Sequence, residues 1–444
     1  MLIALLVTTG MLSLAQTPGP YELGIEALSK KDAAAAVNHF QRCLNIDNNQ
    51  TECHWELGWA YWLLGDWGEV VQHWERVQRA DPNQEGLAEH LSQARDNLGL
   101  EEMLAVGRSH APPSFASDVP EGTTLSVRAV GDMMIGTDFP AGHLPPNGGR
   151  DIFADLSDWL SQADLTFGNL EGPLCDGGST TKCGPDATPG SCYAFRSPGE
   201  YAQVYQTAGF DMVSTANNHA GDFGEYCRLQ TETLLDEVNI AHSGRPGDIA
   251  KLDVNGLKIA MVGFHTSRSC HYINDHDTAT ALVRALASEH DIVIVSFHGG
   301  AEGRAAIHVP YGTETFFGEN RGDLRTFSHA VVDAGADLVL GHGPHVLRGM
   351  ELYKDRLIAY SLGNFATYGR FNLSGNSGLG VILEVNMDPA GGFISGQLFP
   401  TRQIGQGIPT KDTQGRAIDL IRTLSHQDFP EYGIQVAQDG TIAP

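Results

Sequence analysis

The sequence predicts an α/β domain preceded by a small all-α domain, and three observations predict it. From Leu125 onward, apolar runs of strand length alternate with segments of helical period. Several of those runs stop at a glycine and then release a carboxylate, an amide or an imidazole. Ahead of them, YELGIEALSKKDAAAAVNHFQRCLNIDNNQ is echoed by HWELGWAYWLLGDWGEVVQHWERVQRADPNQ, with Gly24 and Gly58 standing 34 residues apart. That spacing is the period of a helix–turn–helix repeat.

Residues 1–15 are apolar and of signal-peptide length, with small residues Ser13 and Ala15 before a cut at Gln16, although no Lys or Arg precedes the apolar run. They predict an exported protein, periplasmic or extracellular. No later apolar run reaches the roughly 18 residues of a membrane helix, so the mature chain is expected to be soluble. Lys and Arg number 28 against 54 Asp and Glu, a net charge of -26. With no basic stripe to displace phosphate counterions, nucleic acid is excluded as a partner. Seven cysteines in an exported chain predict disulfides with one thiol left over. Cys43 with Cys53 is one expected bridge, and at least one more is expected among Cys175, Cys183 and Cys192; Cys227 and Cys270 stand apart.

Residues 20–100 form the helical domain. Gly24, Ala27, Gly58 and Ala60 allow close helix approach, while Phe40, Leu44, Trp55, Trp59, Trp62 and Trp74 fill the space between helices. Asp81-Pro82 ends the second unit, and Glu85 to Leu98 supplies a capping helix that closes the last exposed face. The pattern resembles the tetratricopeptide repeat, which implies docking of a protein partner or of an adjacent domain. Residues 101–124 read as a linker, because GRSHAPPSFASDVPEG is rich in Pro, Ser and Gly and lacks any period.

In residues 125–402 the first strand, Leu125 to Val130, ends in Gly131-Asp132. A helix over Phe153 to Gln162 leads to a strand at Ala163 to Phe167, followed by Gly168-Asn169-Leu170-Glu171. After the cysteine-bearing insertion and a helix to Ala208, Phe210 to Ser214 opens into Asn217-Asn218-His219-Ala220-Gly221-Asp222. A helix at Leu229 to Glu237 and a strand at Lys258 to Phe264 follow. The run DIVIVSF, Asp291 to Phe297, ends in His298-Gly299-Gly300. A helix from Arg325 to Ala334 leads to Leu338-Val339-Leu340, which stops at Gly341 and releases His342 and His345. The next apolar run, Leu357 to Leu362, ends in Gly363-Asn364-Phe365. The remaining histidines nearby, His265, His271, His276, His290 and His308, are expected to be solvated loop residues. Residues 403–444 read as a C-terminal extension, with a helix near Ala417 to Leu424 and a short strand near Ile434.

In an open α/β sheet the carboxyl ends of strands converge on one crevice, so side chains spread over the sequence can share a site. Asp132, Glu171, Asn218, His298, His342 and His345 then form a mixed carboxylate, amide and imidazole set that suits one or two divalent ions: Mn, Fe, Zn or Mg. A shared carboxylate can bridge two ions about 3.5–4 Å apart.

The segments GDMMIG, GNLEGPL, STANNHAGDFG, VSFHGGAEG, GHGPHVLRGMELY and LIAYSLGNF resemble the motifs of the CapA family. That family is associated with capsule and poly-γ-glutamate synthesis and is related to calcineurin-like metallophosphoesterases. The resemblance covers about Leu125 to Pro400 and implies a four-layered α/β/β/α sandwich. By the same resemblance, Asp132 and His345 are ligands of a first ion. Glu171 takes the place of the bridging carboxylate, Asn218, His298 and His342 are ligands of a second ion, and His219 donates to the leaving oxygen. Two departures stand out: Met134 occupies the place of a histidine in the first motif, and Glu replaces the usual bridging Asp. The activity implied is metal-dependent hydrolysis of a phosphoester or an anionic polymer, with Arg196, Glu302 and Arg348 orienting the substrate. The alternative is a non-catalytic envelope component that binds capsule polymer and recruits partners through its repeats.

Overall fold

The computed structural model describes residues 18–109, 119–120, 122–183 and 192–444. The signal peptide and the middle of the linker expected from sequence lie outside the described residues. The chain divides into two compact units, Met1–Gly99 and Leu100–Pro444.

The first unit is helical: α1 (Pro20–Ser29), α2 (Ala33–Ile46), α3 (Thr51–Leu64), α4 (Trp67–Ala80) and the start of α5 (Leu87–Ser109). Asp32 and Asp66 occupy equivalent positions before α2 and α4, where each side chain accepts a backbone N–H of the first turn. The two repeat glycines do the same job. A Cβ on Gly24 would stand 2.4 Å from the Phe40 ring, and one on Gly58 would stand 2.0 Å from Trp74. Only a bare backbone lets each aromatic seat between its helices. Helix α5 runs past the expected end at Leu98 and into the expected linker, as far as Ser109. Its last turns belong to the second unit, where Leu100, Met103 and Leu104 pack on that unit's own core.

The second unit alternates strand and helix: β1 (Leu125–Met134), α6 (Ser157–Leu160), β2 (Leu165–Leu170), α7 (Tyr201–Ala208), β3 (Met212–Ser214), α8 (Gly224–Glu237) and β4 (Ala241–Ser243). Then come β5 (Ala250–Val254), β6 (Leu257–His265), β7 (His271–Tyr272), α9 (His276–Ala287), β8 (Ile292–His298) and the hairpin of β9 (Thr315–Phe316) with β10 (Glu319–Asn320). The chain continues through α10 (Leu324–Ala334), β11 (Leu338–His342), β12 (Met350–Tyr353), β13 (Arg356–Ala359) and β14 (Asn364–Thr367). It ends with β15 (Leu379–Met387), β16 (Phe393–Ile404), β17 (Ile408–Lys411), α11 (Arg416–Asp428), β18 (Gln435–Val436) and β19 (Thr441–Ala443).

Two large sheets result. The first has the order β18-β19-β16-β15-β1-β2-β3-β4, with β14 beside β1 and β17 beside β16; the second has the order β12-β13-β11-β8-β6-β5, with β7 on β6. They pack face to face, Val127, Phe167 and Met212 from one sheet meeting Met261, Ile294 and Leu340 from the other. On the outer face of the second sheet, Val262, Val295 and Val339 lie under Leu282 of α9 and Phe327 of α10. On the outer face of the first, Val130 and Val213 lie under Tyr205 of α7 and Leu235 of α8. The arrangement is the α/β/β/α four-layer sandwich that the resemblance implied.

Residues 403–444 are part of this sandwich, not an appendage. β17 and β19 both pair with β16, and Ala417, Ile418 and Ile421 of α11 enter the core between the sheets. The expected helix over Phe153 to Gln162 shrinks to the single turn of α6, since Asp155 leaves it to accept a backbone N–H from Lys411 at 2.9 Å.

Disulfides join Cys43 to Cys53, Cys183 to Cys192 and Cys175 to Cys227, leaving Cys270 as a buried thiol. The Cys175–Cys227 bridge spans 52 residues and ties the loop after β2 to α8. Restricting a loop of that length in the unfolded chain is worth up to about 4 kcal/mol. The double substitution Cys175→Ala with Cys227→Ala is therefore expected to lower the stability of the second unit by about 2–4 kcal/mol, read as a fall in the urea midpoint.

Candidate metal centre

Register brings the site together. β1, β2 and β3 run parallel, which sets Asp132 opposite Asn169 and Asn169 opposite Ser214. In the second sheet β6, β8 and β11 are parallel, with His265 opposite His298 and His298 opposite His342. Each strand spends its apolar residues in the layers and releases one polar side chain at its carboxyl end. The loop after β11 completes the set. Gly343 has φ 112°, and a Cβ there would come within 2.6 Å of the Gly299 carbonyl, so only glycine lets the two strand-end loops approach. Two residues on, His345 holds φ at 57°, a left-handed conformation that costs free energy and is found where function requires it.

The six candidate ligands converge. His345 Nδ1 lies 2.9 Å from Asp132 Oδ2, and its Nε2 lies 3.7 Å from Glu171 Oε1. His342 Nδ1 is 3.5 Å from the other Asp132 oxygen. Ligand atoms of Asp132, Glu171 and His345 fall within 4.8 Å of one another. The His298 ring stands 6.1 Å from that of His345, and Asn218 lines the same cleft as His345 and His219.

The decisive feature is which buried atoms lack a partner. Both carboxylate oxygens of Glu171, Oδ1 of Asn218, Nε2 of His298 and both ring nitrogens of His342 are buried without a hydrogen bond, the charged groups nearest to Glu171 and His342 standing 3.5 to 3.9 Å away. Leaving even one such atom unpaired costs about 1–3 kcal/mol, and folded proteins rarely tolerate them in a group. A divalent cation would satisfy them at once, and their chemistry fits it: hard oxygen with borderline nitrogen. The proton balance points the same way. Burial pushes the Glu171 carboxyl up to about 8. Burial also opposes a charge on His345, but Glu171 and Asp132 outweigh it and lift the imidazole to about 10. Asp132 is held low by His342 and His345 against the effect of its own burial. An imidazolium among carboxylates supplies the positive charge that an ion would bring.

His219 sits at the rim of this group. Its Nδ1 is 2.7 Å from Asp222 Oδ2 and its Nε2 is 3.9 Å from Glu171 Oε1, so the ring is oriented with one nitrogen held and the other facing the centre. Phe195 packs against it, the ring centres 4.2 Å apart and the planes tilted by 32°. Burial pushes its pKa down while Asp222 opposes that shift.

The other candidates divide. Glu302 belongs to the site, 4.0 Å from His345 Nε2 and 2.9 Å from Arg321. Arg348 does not meet substrate: it is fully buried, with its donors committed to Glu314 at 2.9 and 2.7 Å and to the Ala306 carbonyl at 2.7 Å. It braces the loops after β8. Arg196 is likewise spent, bidentate on Asp138 at 2.8 and 3.1 Å and stacked on Phe223. Met134 is buried on β1 opposite Thr367.

Several site residues were missed from sequence. Asn169 donates 2.8 Å to Asp132, and Asn217 donates to the Leu170 carbonyl at 2.8 Å, fixing the loops that carry the ligands. Lys182 reaches the Asn218 carbonyl at 3.0 Å and also bonds Asp222. His265, expected in solvent, is buried at the end of β6 with its ring 5.6 Å from that of His298. The rule that found His298, an imidazole ending an apolar strand, applies equally to KIAMVGFH and would have found it.

Residues 126–368 match the family described as bacterial capsule synthesis protein PGA_cap. The capsule biosynthesis protein CapA of Bacillus anthracis is 26% identical over 259 residues, covering 55% of this chain and 60% of that protein. The PGA biosynthesis protein CapA of Bacillus subtilis is 27% identical over 278 residues, covering 58% of this chain and 67% of that protein. Among solved structures, a 5'-nucleotidase precursor from Thermus thermophilus aligns at a TM-score of 0.35 and 12% identity, covering 69% of this chain and 59% of that one. The match spans more than half of the sequence and contains all six candidate ligands, and the chain belongs to the PGA_cap family of bacterial capsule synthesis proteins.

Proposed function

We propose that the protein is an exported metal-dependent hydrolase of capsule or poly-γ-glutamate metabolism, acting on a phosphoester or on an anionic polymer. The observation that supports it is the group of buried atoms without a hydrogen bond on Glu171, Asn218, His298 and His342 beside Asp132 and His345. Asp132, Glu171 and His345 would hold one ion; Asn218, His298 and His342 would hold a second, with Glu171 shared. When bound, such ions polarise the scissile group and lower the pKa of water toward neutrality. The chain's own residues do the rest. Asp222 fixes the His219 ring through Nδ1, which leaves Nε2 to deliver a proton to the departing oxygen or nitrogen. Lys182 holds Asp222 in turn. Phe195, packed on the ring, keeps water from its face. The helical repeats would dock a protein partner. No helix among the described residues is long and apolar enough to cross a membrane.

The second reading, a non-catalytic polymer-binding component, is favoured by Met134, which removes one imidazole from the first ion's surroundings. Full-length protein loaded with Mn2+ and offered bis(p-nitrophenyl) phosphate and a γ-linked glutamyl oligomer separates the two. Cleavage of either supports the hydrolase, whereas bound metal with no cleavage of either turns the conclusion to the second reading.

A further inference from the structure

We propose that the cavity adjoining the metal centre is an anion-binding subsite in which Arg228 receives a second carboxylate or phosphate of the substrate, with the Lys182 ammonium, itself bonded to Asp222 and the Asn218 carbonyl, adding only its charge. This deepens the hydrolase reading and rests on it for the word substrate. The cavity has a volume of about 290 Å³ and shares Lys182 and Asn218 with the larger cleft, of about 500 Å³, that holds His219, Glu302 and His345. A molecule held at Asn218 can therefore extend into it. The two spaces differ in chemistry. The larger cleft joins the aromatic walls of Tyr193, Phe195, Phe316, Phe317 and Phe371 to charged groups of both signs, Arg321 and Arg370 with Glu302 and Glu319. In the smaller, every lining residue other than glycine carries a polar side chain, among them Thr181, His265, Ser267 and Ser269.

The charge balance selects the ligand. The lining contains two cations, Arg228 and Lys182, and one carboxylate, Asp222. Asp222 is already committed to Lys182, to His219 and to the Phe195 N–H at 2.8 Å. In a chain of net charge -26 this is a local excess of positive charge. Arg228 is almost buried on α8, and its Nη1 donates to the Ser269 carbonyl at 2.6 Å, which fixes the guanidinium at the cavity wall. Its planar fork matches a carboxylate or phosphate. Exposed hydroxyls of Ser267 and Ser269 lie at the rim, where they can donate to the same group.

The test is calorimetric titration of the full chain in EDTA, which removes the metal centre from the measurement, with inorganic phosphate and with γ-glutamylglutamate. At least one should bind. Arg228→Gln should weaken that binding by about ten- to a hundredfold, the worth of a charge-assisted hydrogen bond, and Arg228→Lys should recover part of it. Ser267→Leu, at an exposed position on the loop after β6, narrows the cavity from another element and should weaken binding too. Tighter phosphate assigns a phosphoryl group to the subsite; tighter dipeptide assigns a carboxylate. If neither anion binds, or if both Arg228→Gln and Ser267→Leu bind as the wild type does, the subsite is overturned. Mn2+ titration of the same protein is a separate reading: its failure removes the hydrolase proposal and leaves the anion result standing.

Discussion

Replacing Asp132 by asparagine is expected to lower the affinity of the full chain for Mn2+ by at least about a hundredfold. Residues that merely orient metal ligands are worth about 10–100-fold in affinity, and Asp132 is both a ligand candidate and the acceptor that orients His345 at 2.9 Å. Of the two carboxylates in the cluster, the substitution removes the one held in its charged form, since Glu171 is pushed up to about 8 by burial. Glu171→Gln is the instructive companion. It should also abolish tight binding, yet it removes a buried carboxylate with no hydrogen-bond partner. The metal-free variant should therefore melt at or above the temperature of the metal-free wild type, as expected where function is maintained at a cost in stability. Calorimetric titration gives the affinities, and thermal unfolding in EDTA gives the second comparison.

The His219→Ala variant is expected to lose about 10²–10⁴ in hydrolytic rate while binding the same amount of metal, because a positioned general acid contributes about that much. The ring touches Glu171 only at 3.9 Å, and its hydrogen bond goes to Asp222, so its removal leaves the ligand cluster in place. Asp222→Asn should give a smaller loss with an altered pH profile, since the ring stays but its orientation and proton affinity change. A rate unaffected by His219→Ala would move the acid elsewhere in the cleft.

The strands that carry the site were legible because each is an apolar run ended by glycine and then one polar group. The runs before Asp132, His298 and His342 fell where expected; register aligns the strand ends within each sheet, and the face-to-face packing of the two sheets brings Asp132 to His342 and His345. The outer strands were not legible. β15 and β16 form a long hairpin in which burial alternates only weakly, and the segments that it recruits, β17, α11 and β19, carry no motif. Their role is set by pairing partners far away in sequence, which local pattern does not encode. Arg348 shows the converse error. An arginine three residues after His345 reads as a substrate contact, but a buried guanidinium bound to Glu314 is a brace, and no sequence pattern distinguishes the two. Lys182 was invisible because its bonds, to the Asn218 carbonyl and to Asp222, reach residues far along the chain, which local pattern does not encode.

Anomalous diffraction at the manganese edge, from a crystal of the full chain grown with Mn2+, tests the central claim most directly. The account predicts a peak at bonding distance from Asp132, Glu171 and His345, with any second peak held by Asn218, His298 and His342. A crystal saturated with Mn2+ that shows no peak among these side chains would contradict it.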